Sequence, residues 1–261
     1  MIINSNRLLV IAGPCLVESR DLLFRVADAL TSIAASRSID LVFKGSYRKA
    51  NRTSAGSFQG IGDEVALSYL AEVKSEFGLP VLTDIHTEAE AALAAGYVDV
   101  LQIPAFLSRQ TALLEAAAHT GKTVNIKKAQ FMAPEDVVKA AAKVTAAGNT
   151  NVWLTERGTS FGYHDLVVDY RGLVIMGSSE FPVIFDATHS VQRPSVGAQS
   201  GGQPQFILPL AKAAVAVGVQ GLFIETHPDP TNAKSDAETQ LPLSQMATVL
   251  DQVLKIWEAR S

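Results

Sequence analysis

Short apolar runs recur at eight places along this chain, and their recurrence constrains the fold more than any other feature. Each run has about the length of a β-strand and is rich in Val, Ile, Leu and Phe. The runs are nearly continuous in apolar character rather than alternating, which is typical of parallel strands covered on both faces. They comprise residues 8–12, 41–43, 81–83, 98–103, 123–126, 152–154, 183–185 and 221–224.

Helical patterns fill most of the intervals between these runs. Pro134 is well placed to begin the fifth helix and Gly148 to end it. Residues 158–177, in the sixth interval, are less regular and predict an ordered loop with a short helical piece. The other predicted helices comprise residues 21–33, 63–77, 88–95, 109–119, 203–217 and 242–259.

Strand and helix alternate along all 261 residues without a linker or a break in composition. This alternation predicts an α/β fold, a single (β/α)8 TIM barrel over residues 1–261 with its active site at the C-terminal ends of the strands. A doubly wound open sheet is the alternative. Because 48% of the residues are apolar, the chain has ample material for a large core.

Charge and cysteine content narrow the classes of partner. The net charge is −4, so the basic residues are concentrated locally rather than in overall excess, which argues for small anionic ligands and against wholesale binding of nucleic acid. Cys15 is the only cysteine, which rules out an internal disulfide and favours a reducing compartment. The apolar run at residues 8–12 lacks the features of a signal peptide, and no stretch has the length of a membrane span. We therefore predict a cytoplasmic protein without nucleic-acid or membrane partners.

The densest group of cations follows the second apolar run, in residues 44–54. Lys44, Arg48, Lys49 and Arg52 are separated there by glycine, hydroxyl and amide residues, and no helical or alternating apolar pattern is present. A loop with several cations suits anionic oxygens such as those of phosphate and carboxylate. A solvated charged loop is the alternative interpretation.

Polar side chains at the strand ends, where barrel enzymes carry their chemistry, form two groups. The cationic group, from strands two, five and six, comprises Lys44, Lys49, Arg52, Lys127 and Arg157. The second group, from strands one, seven and eight, comprises Cys15, His189, Glu225 and Asp236. These last three strands are neighbours only if the sheet closes. A thiolate, an imidazole and two carboxylates suit a divalent transition metal such as Zn²⁺ or Fe²⁺. A buried inert thiol and a hydrogen-bonded histidine are the alternatives.

Long motifs at the strand ends carry a family resemblance. They are AGPCLVES (12–19), FKGSYRKANRTS (43–54), TDIH (83–86), QIPAFLSRQT (102–111), NIKKAQF (125–131), ERGTSFGY (156–163), FDATHSVQ (185–192) and FIETHPDP (223–230) with KSD (234–236). Over essentially its whole length the chain resembles the 3-deoxy-D-manno-octulosonate 8-phosphate synthases. The sister family that makes the seven-carbon shikimate precursor typically has Lys-Pro-Arg-Thr where this chain has KANRT at 49–53, so the eight-carbon enzyme is favoured.

The resemblance implies condensation of phosphoenolpyruvate with D-arabinose 5-phosphate, in Kdo synthesis for lipopolysaccharide or the corresponding plant cell-wall pathway. The resemblance also implies a homotetramer. Cys15 stands where the metal-free branch of the family has Asn, so the resemblance implies the metal-dependent branch. Zn²⁺ or Fe²⁺ is the expected metal ion, with Mn²⁺ and Co²⁺ as further candidates. The implied metal ligands are Cys15, His189, Glu225 and Asp236. The residues implied to surround phosphoenolpyruvate are Lys44, Lys49, Gln102, Ala105, Lys127 and Arg157, and those for the pentose phosphate are Asn51, Arg52 and Thr53.

Catalytic roles are expected for Cys15, Lys127, His189 and Asp236. Lys127 is of the right type to protonate the alkoxide that develops on the acceptor aldehyde. Two rival functions remain: the seven-carbon synthase, 3-deoxy-D-arabino-heptulosonate 7-phosphate synthase, and a non-catalytic barrel that binds sugar phosphates. Phosphate release from the two substrates distinguishes the enzyme from the binding protein, and the choice of acceptor sugar distinguishes the two enzymes.

Overall fold

The computed structural model describes residues 3, 6–50, 58–194 and 201–260. Within them, eight parallel strands close into a barrel because the last strand pairs with the first, with Gly221 opposite Leu9 and Glu225 opposite Gly13. The strands are β1 (Leu8–Gly13), β2 (Ile39–Lys44), β3 (Val81–Asp84), β4 (Val100–Ile103), β5 (Thr123–Lys127), β6 (Val152–Glu156), β7 (Val183–Asp186) and β8 (Gly221–His227). The closed (β/α)8 barrel is confirmed, and the open sheet is excluded.

Eight helices in the described ranges surround the barrel, one after each strand. They are α1 (Arg20–Ala35), α2 (Asp63–Phe77), α3 (Glu88–Ala95), α4 (Thr111–His119), α5 (Pro134–Ala146), α6 (Tyr170–Gly177), α7 (Ile207–Val217) and α8 (Met246–Glu258). Ser19 caps α1 by accepting a hydrogen bond from the Leu22 backbone N–H, and Pro134 occupies the first turn of α5. None of the helices in the described ranges combines the length and the apolarity that a bilayer crossing requires.

Two predicted helices begin later than their sequence patterns indicated. The segments 203–217 and 242–259 each open with a 3₁₀ turn, so the α-helices start only at Ile207 and Met246. The irregular sixth interval contains a short antiparallel hairpin, Thr159–Ser160 with Leu166–Val167, before α6. A hairpin with two residues in each strand is too short to leave a periodic signal.

Side-chain alternation along the strands divides the core into two layers. Along β1, Leu8, Val10 and Ala12 face outward into the large cluster between barrel and helices. Leu9 and Ile11 face inward and belong to a separate cluster completed by Val42, Leu82, Val100, Trp153, Ile184 and Phe223. This inner cluster fills the barrel interior, so the polar residues at the strand ends stand above an apolar floor.

Candidate active site and metal centre

The loops after β1 and β8 bring Cys15 and Asp236 together. The Cys15 Sγ atom lies 3.2 Å from Ser235 Oγ and 3.3 Å from Asp236 Oδ2. The Gln240 amide connects the same two loops, since its Oε1 accepts the Cys15 N–H at 3.1 Å and its Nε2 donates to the Ser235 carbonyl at 2.9 Å. β1 and β2 approach so closely here that a Cβ on Gly13 would lie 1.9 Å from the carbonyl oxygen of residue 44. Glycine is therefore required at the turn before Cys15.

Three of the four predicted metal ligands form a compact group. One ligand atom each from Cys15, Glu225 and Asp236 lies within 4.8 Å of the others. The Glu225 Oε2 atom is buried and has no hydrogen-bond partner among the described residues, although it lies 3.8 Å from His189 Nε2. His189 Nε2 is also 4.0 Å from Asp236 Oδ2. An unpartnered buried carboxylate oxygen beside a thiol, an imidazole and a second carboxylate fits a divalent transition metal.

The electrostatics of this group agree with a cation site. Burial raises the pKa of the Cys15 thiol, and the Glu225 carboxylate raises it further. The Asp236 carboxyl has the opposite shift: burial alone would raise its pKa, but Lys49 and His189 hold it below the ordinary range. Ligation by a divalent cation favours the thiolate and offsets the clustered negative charge. Asp236 also has a φ of 47°, in the left-handed region that Asp tolerates better than most residues.

Two lysines from the second strand and its loop contact Cys15, Glu225 and Asp236, the predicted metal-ligand group. The Lys44 Nζ atom lies 2.5 Å from Glu225 Oε1 and donates to the Cys15 carbonyl at 2.8 Å. The Lys49 Nζ atom lies 2.8 Å from Asp236 Oδ2 and 3.6 Å from Cys15 Sγ. The cationic group and the metal-ligand group are therefore two sides of one site.

Asp186, at the end of β7, joins Lys127 to His189. Its Oδ2 atom lies 2.9 Å from Lys127 Nζ and 2.9 Å from His189 Nδ1. Its Oδ1 atom accepts the backbone N–H groups of Thr188 and His189 at 3.2 and 2.9 Å. Lys127 Nζ also lies 4.1 Å from the centre of the Phe223 ring, which forms the floor beneath it. Asp186 thus lies within ion-pair distance of one predicted catalytic residue and one predicted metal ligand.

Arg157 presents an unused donor. Its Nη2 atom donates to Gln192 Oε1 at 2.7 Å, whereas no hydrogen-bond partner for the buried Nη1 atom lies in the part of the chain that the structure describes. Burial lowers the pKa of Arg157, and the nearby carboxylates of Asp186 and Asp236 oppose that shift. A buried guanidinium with a free N–H is suited to an anionic ligand, because such a ligand supplies the missing acceptor and the opposite charge.

This geometry can be compared with known proteins. The model of the DAHP synthetase I family matches residues 1–260. A protein of Rhizobium meliloti named 2-dehydro-3-deoxyphosphooctonate aldolase is 55% identical over 252 residues, covering 96% of this chain and 90% of its own length. Proteins of the same name from Agrobacterium fabrum and Brucella ovis are also 55% identical over 96% of this chain, and the match covers 89% and 91% of their lengths. This chain belongs to the DAHP synthetase I family. The resemblance found in the motifs is confirmed, since that aldolase name denotes the eight-carbon synthase.

Two of the remaining predicted site residues of this DAHP synthetase I family member lie at the end of β4 or just after it, and three lie outside the described residues. Gln102 lies at the end of β4 and donates to Asn125 Oδ1 at 2.7 Å. Ala105 is buried at the start of a 3₁₀ turn after β4. Neither residue forms a hydrogen bond or an ion pair with the predicted metal ligands in the described ranges. Asn51, Arg52 and Thr53 lie outside the described residues.

Several residues that contact the predicted site residues have no role that the sequence alone indicates. Asp186 has no role assigned from the sequence and stands only within the motif FDATHSVQ, where its position three residues before His189 is the available signal. Ser235 stands inside the KSD motif but has no role assigned from the sequence, and Gln240 left no signal, because a loop glutamine is usually solvated. Of the adjacent pair Lys127 and Lys128, only Lys127 contacts the site, since Lys128 turns away toward Glu156 Oε2 at 3.6 Å.

Proposed function

We propose that this DAHP synthetase I family member condenses phosphoenolpyruvate, D-arabinose 5-phosphate and water into 3-deoxy-D-manno-octulosonate 8-phosphate and inorganic phosphate. It is a transferase of the Kdo branch of lipopolysaccharide synthesis, and residues 1–261 form one catalytic barrel domain. The observation that carries the proposal is the direct contact between the cationic group and the Cys15–Glu225–Asp236 cluster through Lys44 and Lys49. The shared name of relatives at 55% identity supports the choice of the eight-carbon product.

The cationic side of the site suits phosphoenolpyruvate. Its phosphate and carboxylate need several positive donors, which Lys44, Lys49, Lys127 and Arg157 supply. The Nη1 atom of Arg157, which is unpaired within the described ranges, offers a charge-assisted hydrogen bond to the phosphate. Gln102 and Ala105 complete this subsite on the β4 side. We assign the pentose phosphate to the segment of Asn51, Arg52 and Thr53, where guanidinium, amide and hydroxyl donors follow one another.

The reaction needs a proton donor at the acceptor aldehyde. As C3 of the enol attacks the aldehyde carbon, the carbonyl oxygen becomes an alkoxide and takes a proton. The Lys127 ammonium, held 2.9 Å from Asp186, is the candidate donor. Water then adds at C2, and phosphate leaves by C–O cleavage with Arg157 and Lys127 neutralising its charge.

The ligand set Cys15, His189, Glu225 and Asp236 would hold a divalent metal ion at the aldehyde side of the site. Zn²⁺ and Fe²⁺ suit a thiolate ligand best, with Mn²⁺ and Co²⁺ as further candidates. Such an ion, when bound, supplies a Lewis acid that orients the aldehyde or a water molecule. Lys44 and Lys49 keep Glu225 and Asp236 ionised and oriented toward that ligand set.

We further propose a homotetramer in the cytoplasm. Exposed aromatic rings lie on the loops after three neighbouring strands: Phe106 is 59% exposed, Phe131 61%, Phe161 71% and Tyr163 97%. Large contiguous apolar patches are uncommon on monomers, and we propose other copies of this chain as the partners that would cover these rings. Light scattering on the purified protein tests the assembly. The single thiol, Cys15, supports a reducing compartment.

A phosphate-release assay tests the function. The expected result is release of inorganic phosphate when phosphoenolpyruvate and arabinose 5-phosphate are both present, and loss of that release after chelation. Preferential turnover with erythrose 4-phosphate would instead identify the seven-carbon synthase. Binding of both substrates without phosphate release would identify a non-catalytic sugar-phosphate-binding barrel.

A further inference from the structure

Lys128 carries a buried ammonium that the proposed reaction does not use. It lies just after β5, is 1% exposed, and donates its backbone N–H to the Thr155 carbonyl of β6 at 2.8 Å. Its Nζ atom donates to the carbonyl oxygens of Ala129 and Met132, each at 3.3 Å, and to Thr159 Oγ1 at 3.1 Å. The three N–H donors of the ammonium are therefore matched by acceptors of the protein itself.

Glu156 is the counter-ion of Lys128 and closes the turn that carries Arg157. It is the last residue of β6 and is 2% exposed. Its Oε2 atom lies 3.6 Å from Lys128 Nζ, within ion-pair distance. Its Oε1 atom accepts the Gly158 N–H at 2.6 Å, and Gly158 has a φ of 93°, in the left-handed region that glycine adopts without strain. Glu156 therefore ties the residue before Arg157 to the residue after it.

The two buried charges support each other. Burial raises the pKa of Glu156, and the Lys128 ammonium opposes that rise. Burial likewise lowers the pKa of Lys128, and Glu156 opposes that fall. Without Lys128, burial would favour the neutral form of Glu156. A neutral carboxyl is a weaker acceptor for the Gly158 N–H than a carboxylate, so the turn around Arg157 would loosen.

The guanidinium of Arg157 depends on this turn for its direction. Its Nη2 atom donates to Gln192 Oε1 at 2.7 Å, and the described residues supply no hydrogen-bond acceptor for its buried Nη1 atom. One side-chain hydrogen bond does not fix the orientation of a guanidinium at the end of a long, flexible side chain. The position of the Arg157 backbone, which Glu156 holds, therefore contributes to where Nη1 points.

We propose that Lys128 is a positioning residue for phosphoenolpyruvate, acting through Glu156 on the turn that carries Arg157. The inference rests on the proposed function, in which Arg157 binds the phosphate of that substrate. Two contacts carry the effect to Arg157, the ion pair between Lys128 and Glu156 and the hydrogen bond from the Gly158 N–H to Glu156. Binding of the acceptor sugar should not depend on Lys128, because the residues proposed for it, 51–53, follow β2 in the chain.

Binding of phosphoenolpyruvate to four full-length proteins tests the inference: the parent, Lys128→Met, Arg157→Ala and the double variant. Methionine keeps most of the apolar stem of lysine and lacks the ammonium. Titration calorimetry should show a Kd about tenfold higher in Lys128→Met, the size expected when a hydrogen bond to a charged group is lost. In the Arg157→Ala background, Lys128→Met should have little further effect, because the residue through which it acts is gone. The KM for arabinose 5-phosphate should be unchanged in Lys128→Met.

Lys74→Met is the matched control. Lys74 Nζ lies 2.6 Å from Asp99 Oδ1 at the opposite end of the barrel, so its loss should leave the Kd for phosphoenolpyruvate unchanged. If Lys128→Met lowers the melting temperature and leaves that Kd unchanged, its role is structural only and the inference is wrong. A rise by the same factor with and without Arg157 also overturns the inference, because the effect then bypasses Arg157. If Lys128→Met does not fold, Glu156→Gln in the same two backgrounds decides by the same criterion.

Arg157→Ala separates the inference from the proposed function. A Kd for phosphoenolpyruvate that rises in Arg157→Ala but not in Lys128→Met overturns the inference alone. A Kd that is unchanged in Arg157→Ala overturns the assignment of Arg157 to this substrate, and the inference with it. If the parent binds phosphoenolpyruvate but releases no phosphate with both substrates, the synthase function fails, and the binding measurements still decide the role of Lys128.

Discussion

Replacing Lys44 by methionine tests the electrostatic reading of the site. The Lys44 Nζ atom lies 2.5 Å from Glu225 Oε1, and the two side chains are only 3% and 2% exposed. Burial alone would raise the pKa of Glu225, and Lys44 is foremost among the charges that keep it below the ordinary range. Lys44→Met therefore leaves a carboxylate buried without its main partner. Breaking a buried pair from one side costs about 3–5 kcal/mol.

That cost corresponds to a large thermal shift. In a chain of this size each kcal/mol lowers the melting temperature by about 2–4 °C, so the expected drop is roughly 6–20 °C. Scanning calorimetry at one fixed scan rate, on chelator-treated protein, measures the drop and keeps unfolding kinetics comparable between variants. The double variant Lys44→Met with Glu225→Gln removes both charges and should recover part of the loss.

Arg20→Met is the matched control for Lys44→Met. The Arg20–Glu72 pair has a similar separation, 2.6 Å, but its side chains are 47% and 41% exposed. Water solvates exposed charges whether or not they are paired, so loss of the Arg20–Glu72 pair should shift the melting temperature far less. If Lys44→Met is no more destabilising than Arg20→Met, or if the double variant is less stable than Lys44→Met, the reasoning from burial is refuted.

Two further predictions concern the metal and pH. Cys15→Ala should lose nearly all activity and, as measured by elemental analysis, its bound metal, because a thiolate is a strong ligand for Zn²⁺ or Fe²⁺. Cys15→Asn should keep measurable activity that a chelator does not abolish. An Asn variant as inactive as the Ala variant would contradict a mainly positioning role for the metal. Burial would lower the pKa of His86, but Asp84 and Glu90 raise it above the ordinary value. The stabilisation from charged His86 is thus complete below about pH 6.5 and is lost as pH rises through the raised pKa. Over that pH window the melting temperature should fall more steeply in the parent than in His86→Gln. Parallel curves for the two proteins would contradict a stabilising charge on His86.

The barrel could be predicted because its signals are local. Each strand is a continuous apolar run, and chain order alone fixes which strands are neighbours in a closed (β/α)8 barrel. The prediction that Cys15, Glu225 and Asp236 meet followed from closure between β8 and β1, and the structure brings these three together with His189 beside them. Their roles as metal ligands remain a proposal.

Contacts that depend on side-chain direction could not be predicted in the same way. Glu90 stands in a short alanine-rich helix, where a glutamate normally faces water, and only the packing of β2 and its loop against α3 buries it. The 3₁₀ turns before α7 and α8 begin at or just after a proline, which is equally compatible with the first turn of an α-helix. Such choices are decided by tertiary contacts rather than by local propensity.

Closure of the barrel by its first and last strands has a consequence for biosynthesis. Cys15 and Asp236, whose side chains touch, are separated by 221 positions in the chain. Contacts of such long sequence separation form late, because the loop-closure entropy must be met before they contribute. During translation the thiol emerges early and has no partner carboxylate until nearly the whole polypeptide has left the ribosome. Bound metal would therefore mark chains that are synthesised beyond residue 236. Products that terminate before residue 236 would lack Asp236 and could be distinguished from the full-length protein by their lower metal content.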